Sequence, residues 1–212
     1  MEQQEKSKET YEKIINAGLE VLNRKDYHET VVEEIAEVAG VSKGTVFFYF
    51  KTKENLFKAI INHIMDQLEQ MFDEIISKND TPLNKLKMIY DSFIDFQLKH
   101  MSLFMSIRKE MGAVEPKIED IRVRVENIGK KILPLVESMF KKGLVKRFDP
   151  QLNLTEVISS MLFMYASAVS SMVFFNRENV ERIKEIFWNI LLHGILNEDV
   201  SIEMLVFNDT KI

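Results

Sequence analysis

Residues 32–53 read VEEIAEVAGVSKGTVFFYFKTK, and the reading of this stretch decides the fold. Ile35, Ala36 and Ala39 set apolar groups at i, i+1 and i+4, the inward stripe of a short helix. Gly40 follows, and glycine suits the left-handed residue that closes a helix and turns the chain sharply. Val41 supplies a hydrophobe for the inside of the turn. Ser42 is placed to N-cap a second helix, in which Val46 and Phe50 share one face at i+4 spacing. Small Ala36 lets the two helices approach closely. An ordinary helical hairpin within a bundle explains the glycine and the apolar spacing, but a buried hairpin has no use for Lys43, Lys51 and Lys53 beside it. The pattern is that of a helix-turn-helix whose second helix can enter a DNA major groove.

Outward from this stretch the periodicity stays helical. Lys6 to Arg24 carries Ile14, Ile15, Leu19, Val21 and Leu22 on one face and predicts a first helix. Thr30 and Glu33 have capping-box spacing for the second. Lys53 to Ser77 predicts a long helix through Leu56, Ile60, Ile61, Ile64, Leu68, Phe72 and Ile75, long enough to run from this unit into the rest of the chain. Thr81 and Pro82 make an N-cap and N1 pair for a helix ending near His100. A short helix, Ser102 to Glu110, follows. Pro116 opens a segment reaching Lys142, where Pro134 should kink the helix and Gly143 should cap it. Segments 153–175 and 179–196 predict the last two helices, and residues 197–212 carry no clear pattern.

Residues 11–57 resemble the DNA-binding domain of the tetracycline-repressor (TetR) family of bacterial regulators. The landmarks are Ile15–Ala17, Val21–Leu22, Tyr27, Thr30, Val32, Ile35–Ala36 and Ala39–Gly40–Val41–Ser42. They continue as Lys43–Gly44–Thr45, Val46, Tyr49–Phe50–Lys51 and Lys53–Glu54–Asn55–Leu56–Phe57. The resemblance implies an all-α chain of about nine helices, with a three-helix DNA-binding domain over 1–53 and a helical ligand-binding and dimerisation domain over 54–212. It implies a regulator that binds a pseudo-palindromic DNA operator as a homodimer and is released, as a repressor, by a small hydrophobic effector. Helices 153–175 and 179–196 would form the dimer face as a four-helix bundle; their apolar or small residues also fit a deeper monomer core. Two departures stand out. Asp26 occupies a position usually held by glycine, and aspartate tolerates the left-handed conformation well enough to keep the turn. Val31 stands where Thr or Ser is usual, which moves the expected cap back to Thr30.

Composition bounds these readings. The chain has 212 residues, of which 46% are hydrophobic, enough for a sizeable core, with only 7 glycines and 4 prolines. It has no cysteine, so neither disulfide nor thiolate chemistry is expected. The polar, acidic start MEQQEKSKET is unlike a signal peptide, and no apolar run approaches the ~18 residues that span a bilayer. A soluble, cytoplasmic protein without membrane contact is expected. Net charge is −5, and residues 1–53 hold 8 Lys/Arg against 10 Asp/Glu. From Ser42 to Lys58, however, four lysines face one glutamate. Screening acts over ~8 Å at physiological salt, so a local cationic edge can still meet phosphates.

On the second motif helix, N-terminal side chains reach base edges. Lys43 is placed to donate to guanine O6 and N7, and the Thr45 methyl to meet a thymine. Gly44 lets the backbone approach the duplex. The hydroxyls of Thr30 and Ser42, with the helix N-terminal amides, are expected to bind phosphates. Tyr49 and Lys53 match positions that bind the phosphate backbone in TetR-type proteins. Phe47 and Phe48 depart from the tyrosine or histidine often found there; one ring is expected on a thymine methyl or sugar edge, with Phe48 equally readable as core. Lys53→Ala should weaken binding to every sequence and flatten its salt dependence, whereas Lys43→Ala should relax sequence choice.

TetR-type bodies usually hold a small-molecule cavity. Adaptable apolar walls are offered by Phe93, Phe96, Met105, Met161 and Met164, and orienting polar groups by Tyr90, Gln97, Arg108, Asn127 and Tyr165. A Met/Phe stripe at helical spacing also reads as plain core. His28, His63, His100 and His193 are scattered, and no metalloprotease, phosphate-loop or nucleophile-elbow motif occurs, so no enzyme, metal or cofactor is expected. A helical carrier of apolar ligands is the alternative from another class; it leaves Ser42–Lys53 without a purpose.

Overall fold

A computed structural model of the chain describes residues 2–111, 118–144 and 179–195, with isolated helical positions at 160, 164, 167 and 168. Among the described residues there are eight helices and no strand. They are α1 (Glu2–Leu22), α2 (Val32–Ala39), α3 (Lys43–Phe50), α4 (Lys53–Ile76), α5 (Pro82–Lys99), α6 (Met101–Met111), α7 (Ile118–Lys141) and α8 (Val180–Ile195). The described residues are all-helical, as their periodicity requires. Most of the helix expected over 153–175, and the turn before it, lie outside the described residues. The contacts divide into two compact units, residues 1–68 with 99–117, and residues 69–98 with 118–212; the single helix α4 contributes to both.

In the first unit α1 buries Ile14, Ile15, Leu19, Val21 and Leu22, and α4 buries Leu56, Ile60 and Ile64. Gly18 lets the Ile60 side chain of α4 lie close against α1: a Cβ there would lie 2.4 Å from Ile60 Cδ1. Ile35 and Ala36 of α2, with Val46 and Phe50 of α3, complete the core with the residues expected from their spacing. Gly40 is left-handed (φ 66°, ψ 33°), and its own N–H and that of Val41 reach back to Glu37 and Ala36 carbonyls, ending α2.

Two local expectations are corrected here. The cap of α2 is Val31, with no side-chain hydrogen bond, and not Thr30. Thr30 is buried, and its hydroxyl donates backward to the Asp26 carbonyl at 3.0 Å, so it cannot turn forward onto the α2 amides. Glu33 and Glu34 in the first turn supply favourable charge at the helix N-terminus instead. Nor does Asp26 adopt the left-handed conformation: among the described residues the one non-glycine with positive φ is Lys51. The α1–α2 corner closes by hydrogen bonds rather than by a left-handed residue, with the Asp26 carbonyl accepting from Glu29 and Thr30 amides at 3.1 Å each.

Helix α6 belongs to the same unit and is fastened to that corner. Ser102 Oγ donates to the Lys25 carbonyl at 3.1 Å, while Ser106 Oγ accepts from Tyr27 N and donates to Asp26 Oδ1, both at 3.2 Å. Asn23 meets His100 Nδ1 at 3.2 Å. His100 is buried, and burial, aided by nearby Lys99, pushes its pKa down to about 4.

The second unit is built on α5, capped by Thr81 Oγ1 accepting from Asn84 N at 3.1 Å. Its buried face is Leu83, Ile89, Tyr90, Phe93, Ile94 and Gln97. Phe72 meets Phe93 edge-on at 6.1 Å, and Tyr90 packs on Trp188 of α8 at 5.3 Å. Arg124 and Lys131 of α7 hold Glu69 and Asp73 of α4 at 2.7 Å each. Lys184 is buried, bonded to Asp95 at 2.5 Å and Glu181 at 2.8 Å. Burial pushes its pKa down, but those two carboxylates outweigh it and hold the ammonium above the ordinary lysine range. Helix α7 continues through Pro134 to Lys141, and left-handed Gly143 follows it, beyond which Leu144 N donates to the Met139 carbonyl at 3.0 Å.

Candidate nucleic-acid interface

The α2–α3 turn is fixed locally. Ser42 lies in extended conformation as the α3 cap, its Oγ accepting from Thr45 N at 3.0 Å and touching Thr45 Oγ1 at 2.8 Å. With Val46 and Phe50 turned inward, Lys43, Gly44 and Phe48 are left on the exposed side of α3, with Thr45 and Phe47 half-buried. A Cβ at Gly44 would meet nothing nearer than Ser42 Oγ at 3.6 Å, so nothing within the chain demands glycine there.

The cations of this edge are engaged within the chain. Lys43 forms an ion pair with Glu33 of α2 and lies 5.6 Å from the Phe47 ring centroid. The Lys43 hydrogen bond, and then a backbone hydrogen bond, hold the Glu33 carboxyl below the usual carboxylate range. Lys51, with a positive φ at the end of α3 (φ 65°, ψ −43°), holds its ammonium 5.3 Å over Phe48. Lys53 donates to the Tyr27 carbonyl at 2.6 Å and sits 4.3 Å from the Tyr27 ring centroid.

Phe48 is 70% exposed, so it is not a core residue of this unit. Its ring meets Tyr49 edge-on at 5.4 Å. Tyr49 is half-buried, and its hydroxyl donates to the Ser7 carbonyl of α1 at 3.1 Å. Of the expected interface, Ser42, Lys43, Gly44, Thr45, Phe47, Phe48 and Tyr49 thus gather on or at the start of α3, while Thr30 lies buried with its hydroxyl turned to Asp26. Lys53 stands at the start of α4. Sequence reasoning passed over Glu33 as a partner of Lys43, because a pairing ten residues apart across a turn carries no periodic signal.

The expected ligand-binding residues fall in both units and partly outside the described residues. Tyr90, Phe93 and Gln97 share the buried face of α5, and the Tyr90 hydroxyl donates to the Lys184 carbonyl at 3.2 Å. Phe96 is half-buried and Asn127 exposed. Met105, in the first unit, is 51% exposed, and Met164 is 56% exposed. The Arg108 side chain, Met161 and Tyr165 lie outside the described residues. Among the described residues no three His, Cys, Asp or Glu side chains cluster as a metal site, and no helix is long and apolar enough to cross a membrane.

A three-helix unit whose capped third helix exposes its N-terminal side chains defines a helix-turn-helix DNA-binding protein. Residues 14–60 match the bacterial regulatory proteins of the tetR family. The fatty acid metabolism regulator protein of Bacillus subtilis (strain 168) is 28% identical over 139 residues, 63% of this chain and 68% of that protein. The transcriptional regulator RutR of Escherichia coli (strain K12) is 42% identical over 53 residues, a quarter of each chain. A TetR family regulator from Marinobacter aquaeolei VT8 superposes with a TM-score of 0.69 at 18% identity, over 93% of this chain and 100% of that one. Residues 14–60 carry the DNA-binding domain of the tetR family of bacterial regulatory proteins, and the chain is a DNA-binding transcription regulator of that type.

Proposed function

We propose that this regulator is a ligand-responsive repressor that binds a pseudo-palindromic operator as a homodimer and is released by a small hydrophobic effector. The observation that carries the reading is the exposed side of α3, where Lys43, Gly44 and Phe48 stand outward around a core of Val46 and Phe50. Residues 1–53 act as the DNA-binding domain and 54–212 as the ligand-binding and dimerisation domain. Lys43 and Thr45 read base edges, Gly44 admits the backbone to the duplex, and Phe48 packs on a thymine methyl or a sugar. The open space around Gly44 supports its role, since the chain itself does not need glycine there. Ser42, Tyr49 and Lys53 face phosphates; Lys53 keeps two ammonium N–H groups for this while the third serves Tyr27. The buried Thr30 hydroxyl takes no part.

Dimerisation uses segments 153–175 and 179–196. Ile186 and Ile190 of α8, 48% and 50% exposed one turn apart in the isolated chain, support this face. The Met/Phe-rich residues of 54–212 receive the effector. The name of the B. subtilis relative, a fatty acid metabolism regulator, fits an apolar effector class. Effector binding favours an arrangement whose two recognition helices no longer match successive major grooves, about 34–36 Å apart. Helix α4, continuous from one unit into the other, is the lever. The protein works in the cytoplasm.

Selection of binding sites from randomised duplexes by the purified chain tests the reading. Enrichment of an inverted repeat, with release on adding medium-chain or long-chain acyl compounds, is the expected result. Failure to enrich any sequence, with or without those compounds, would overturn it.

A further inference from the structure

Lys43 is the residue placed to read guanine, yet in the structure it is bound to Glu33. Both side chains are more than half exposed, at 53% and 57%, so the pair lies on the outer surface of the α2–α3 unit rather than inside it. Glu33 belongs to the first turn of α2 and Lys43 to the first turn of α3, so the turn at Gly40 is what brings them together. Such a pair is easily exchanged for another partner of the same charge.

Two consequences follow when DNA approaches. A phosphate that draws Lys43 away leaves the Glu33 carboxylate unpaired beside a polyanion, which opposes binding. A G·C pair is different, because guanine offers O6 and N7 to the ammonium while its cytosine offers the N4 amino group as a donor. There the carboxylate exchanges the lysine for a new donor instead of losing its partner.

We infer that Glu33 is a specificity-determining residue, which reads a G·C pair jointly with Lys43 and, as the internal counterion of that lysine, suppresses binding to other sequences. This rests on the DNA-reading function proposed above. Glu33 also explains how an acidic unit discriminates: its charge penalises binding wherever no base edge replaces Lys43.

The test is site selection with the full-length wild type, Glu33→Gln, Lys43→Gln and the double variant, followed by fluorescence anisotropy on the selected and on random duplexes. The wild type should enrich a G·C pair at one position of each half-site. Glu33→Gln should lose that preference and bind random duplex about fivefold tighter at ~0.15 M salt, the effect of one further phosphate contact, with a correspondingly steeper salt slope. In the Lys43→Gln background, Glu33→Gln should alter base preference no further. Both positions are exposed, and unchanged melting temperatures verify the fold.

If the wild type enriches nothing, the DNA-reading function itself fails. If it enriches a site but Glu33→Gln keeps the same base preference and shifts operator and random duplex by one common factor, Glu33 is a general negative charge and the inference is overturned. A preference altered by Glu33→Gln in the Lys43→Gln background overturns the joint reading.

Discussion

Lys53→Met tests the proposed phosphate contact and the internal strut separately. The Lys53 ammonium donates to the Tyr27 carbonyl at 2.6 Å and faces the Tyr27 ring at 4.3 Å, and that ring packs on Phe57 at 4.3 Å. Methionine keeps the alkyl chain and removes both interactions. A hydrogen bond from a charged donor contributes about 1.5–3 kcal/mol. A cation over an aromatic face adds about 0.5–1 kcal/mol where partly exposed. The Tyr27 carbonyl still accepts from Thr30 N at 3.3 Å, so it is not left without a partner and the lower end of the range applies. A loss of about 2 kcal/mol is expected, which lowers Tm by roughly 4–8 °C for a chain of this size. Thermal melting by circular dichroism reads the stability, and operator binding against salt reads the phosphate contact. The salt slope should fall by about 0.9 for the one phosphate released. An unchanged Tm would refute the strut, whatever happened to DNA affinity; lowered stability with an unchanged slope would remove Lys53 from the phosphate contacts.

His100 makes stability depend on pH. Its folded pKa, about 4, lies below the ordinary 6.5, so between those values the unfolded chain binds the proton and the folded chain does not. Its contribution is therefore full above pH 6.5 and is lost as pH falls toward 4, by up to ~3 kcal/mol. Urea midpoints at pH 7 and 4.5 should differ less in His100→Gln than in wild type, and equal differences would refute the assignment. Ser42→Ala removes the α3 cap and should cost about 1 kcal/mol in urea unfolding; no loss would mean that Thr45 N finds an equal partner. Tyr90→Phe should cost about 1 kcal/mol through the bond to the Lys184 carbonyl. Unaltered stability with altered effector-driven release would instead assign that hydroxyl to a ligand.

The helix-turn-helix was legible because its signals are local. Gly40, Ser42 and the Val46/Phe50 pair each act within one or two turns of helix, and each stands where expected. Thr30 misled because its hydroxyl has two local acceptor and donor choices, and tertiary packing buried it on the Asp26 side. The positive φ of Lys51 carries no sequence signal, since lysine has no intrinsic preference for that region. The pocket residues were least legible. Tyr90, Phe93 and Gln97 fall at i, i+3 and i+7, which is equally the spacing of an ordinary buried helix face.

Counting charge along the sequence also overstates what the interface offers to DNA. From Ser42 to Lys58 the lysines exceed the carboxylates by three. In the folded unit Lys43 is balanced by Glu33, Lys51 rests over Phe48, and Lys53 is anchored at Tyr27. Each must share or exchange an internal partner before it binds a phosphate, which weakens sequence-independent attraction most, because that attraction has nothing else to offer in return. The exposed side that remains centres on Phe48, an apolar ring with no hydrogen bond to give, beside Gly44, which leaves room for a close approach. Such a surface gains from a thymine methyl or a fitted sugar edge and little from a bare phosphate row. Internal pairing and the exposed ring therefore act in the same direction: both should weaken general attraction to DNA and favour binding that depends on base edges and groove shape.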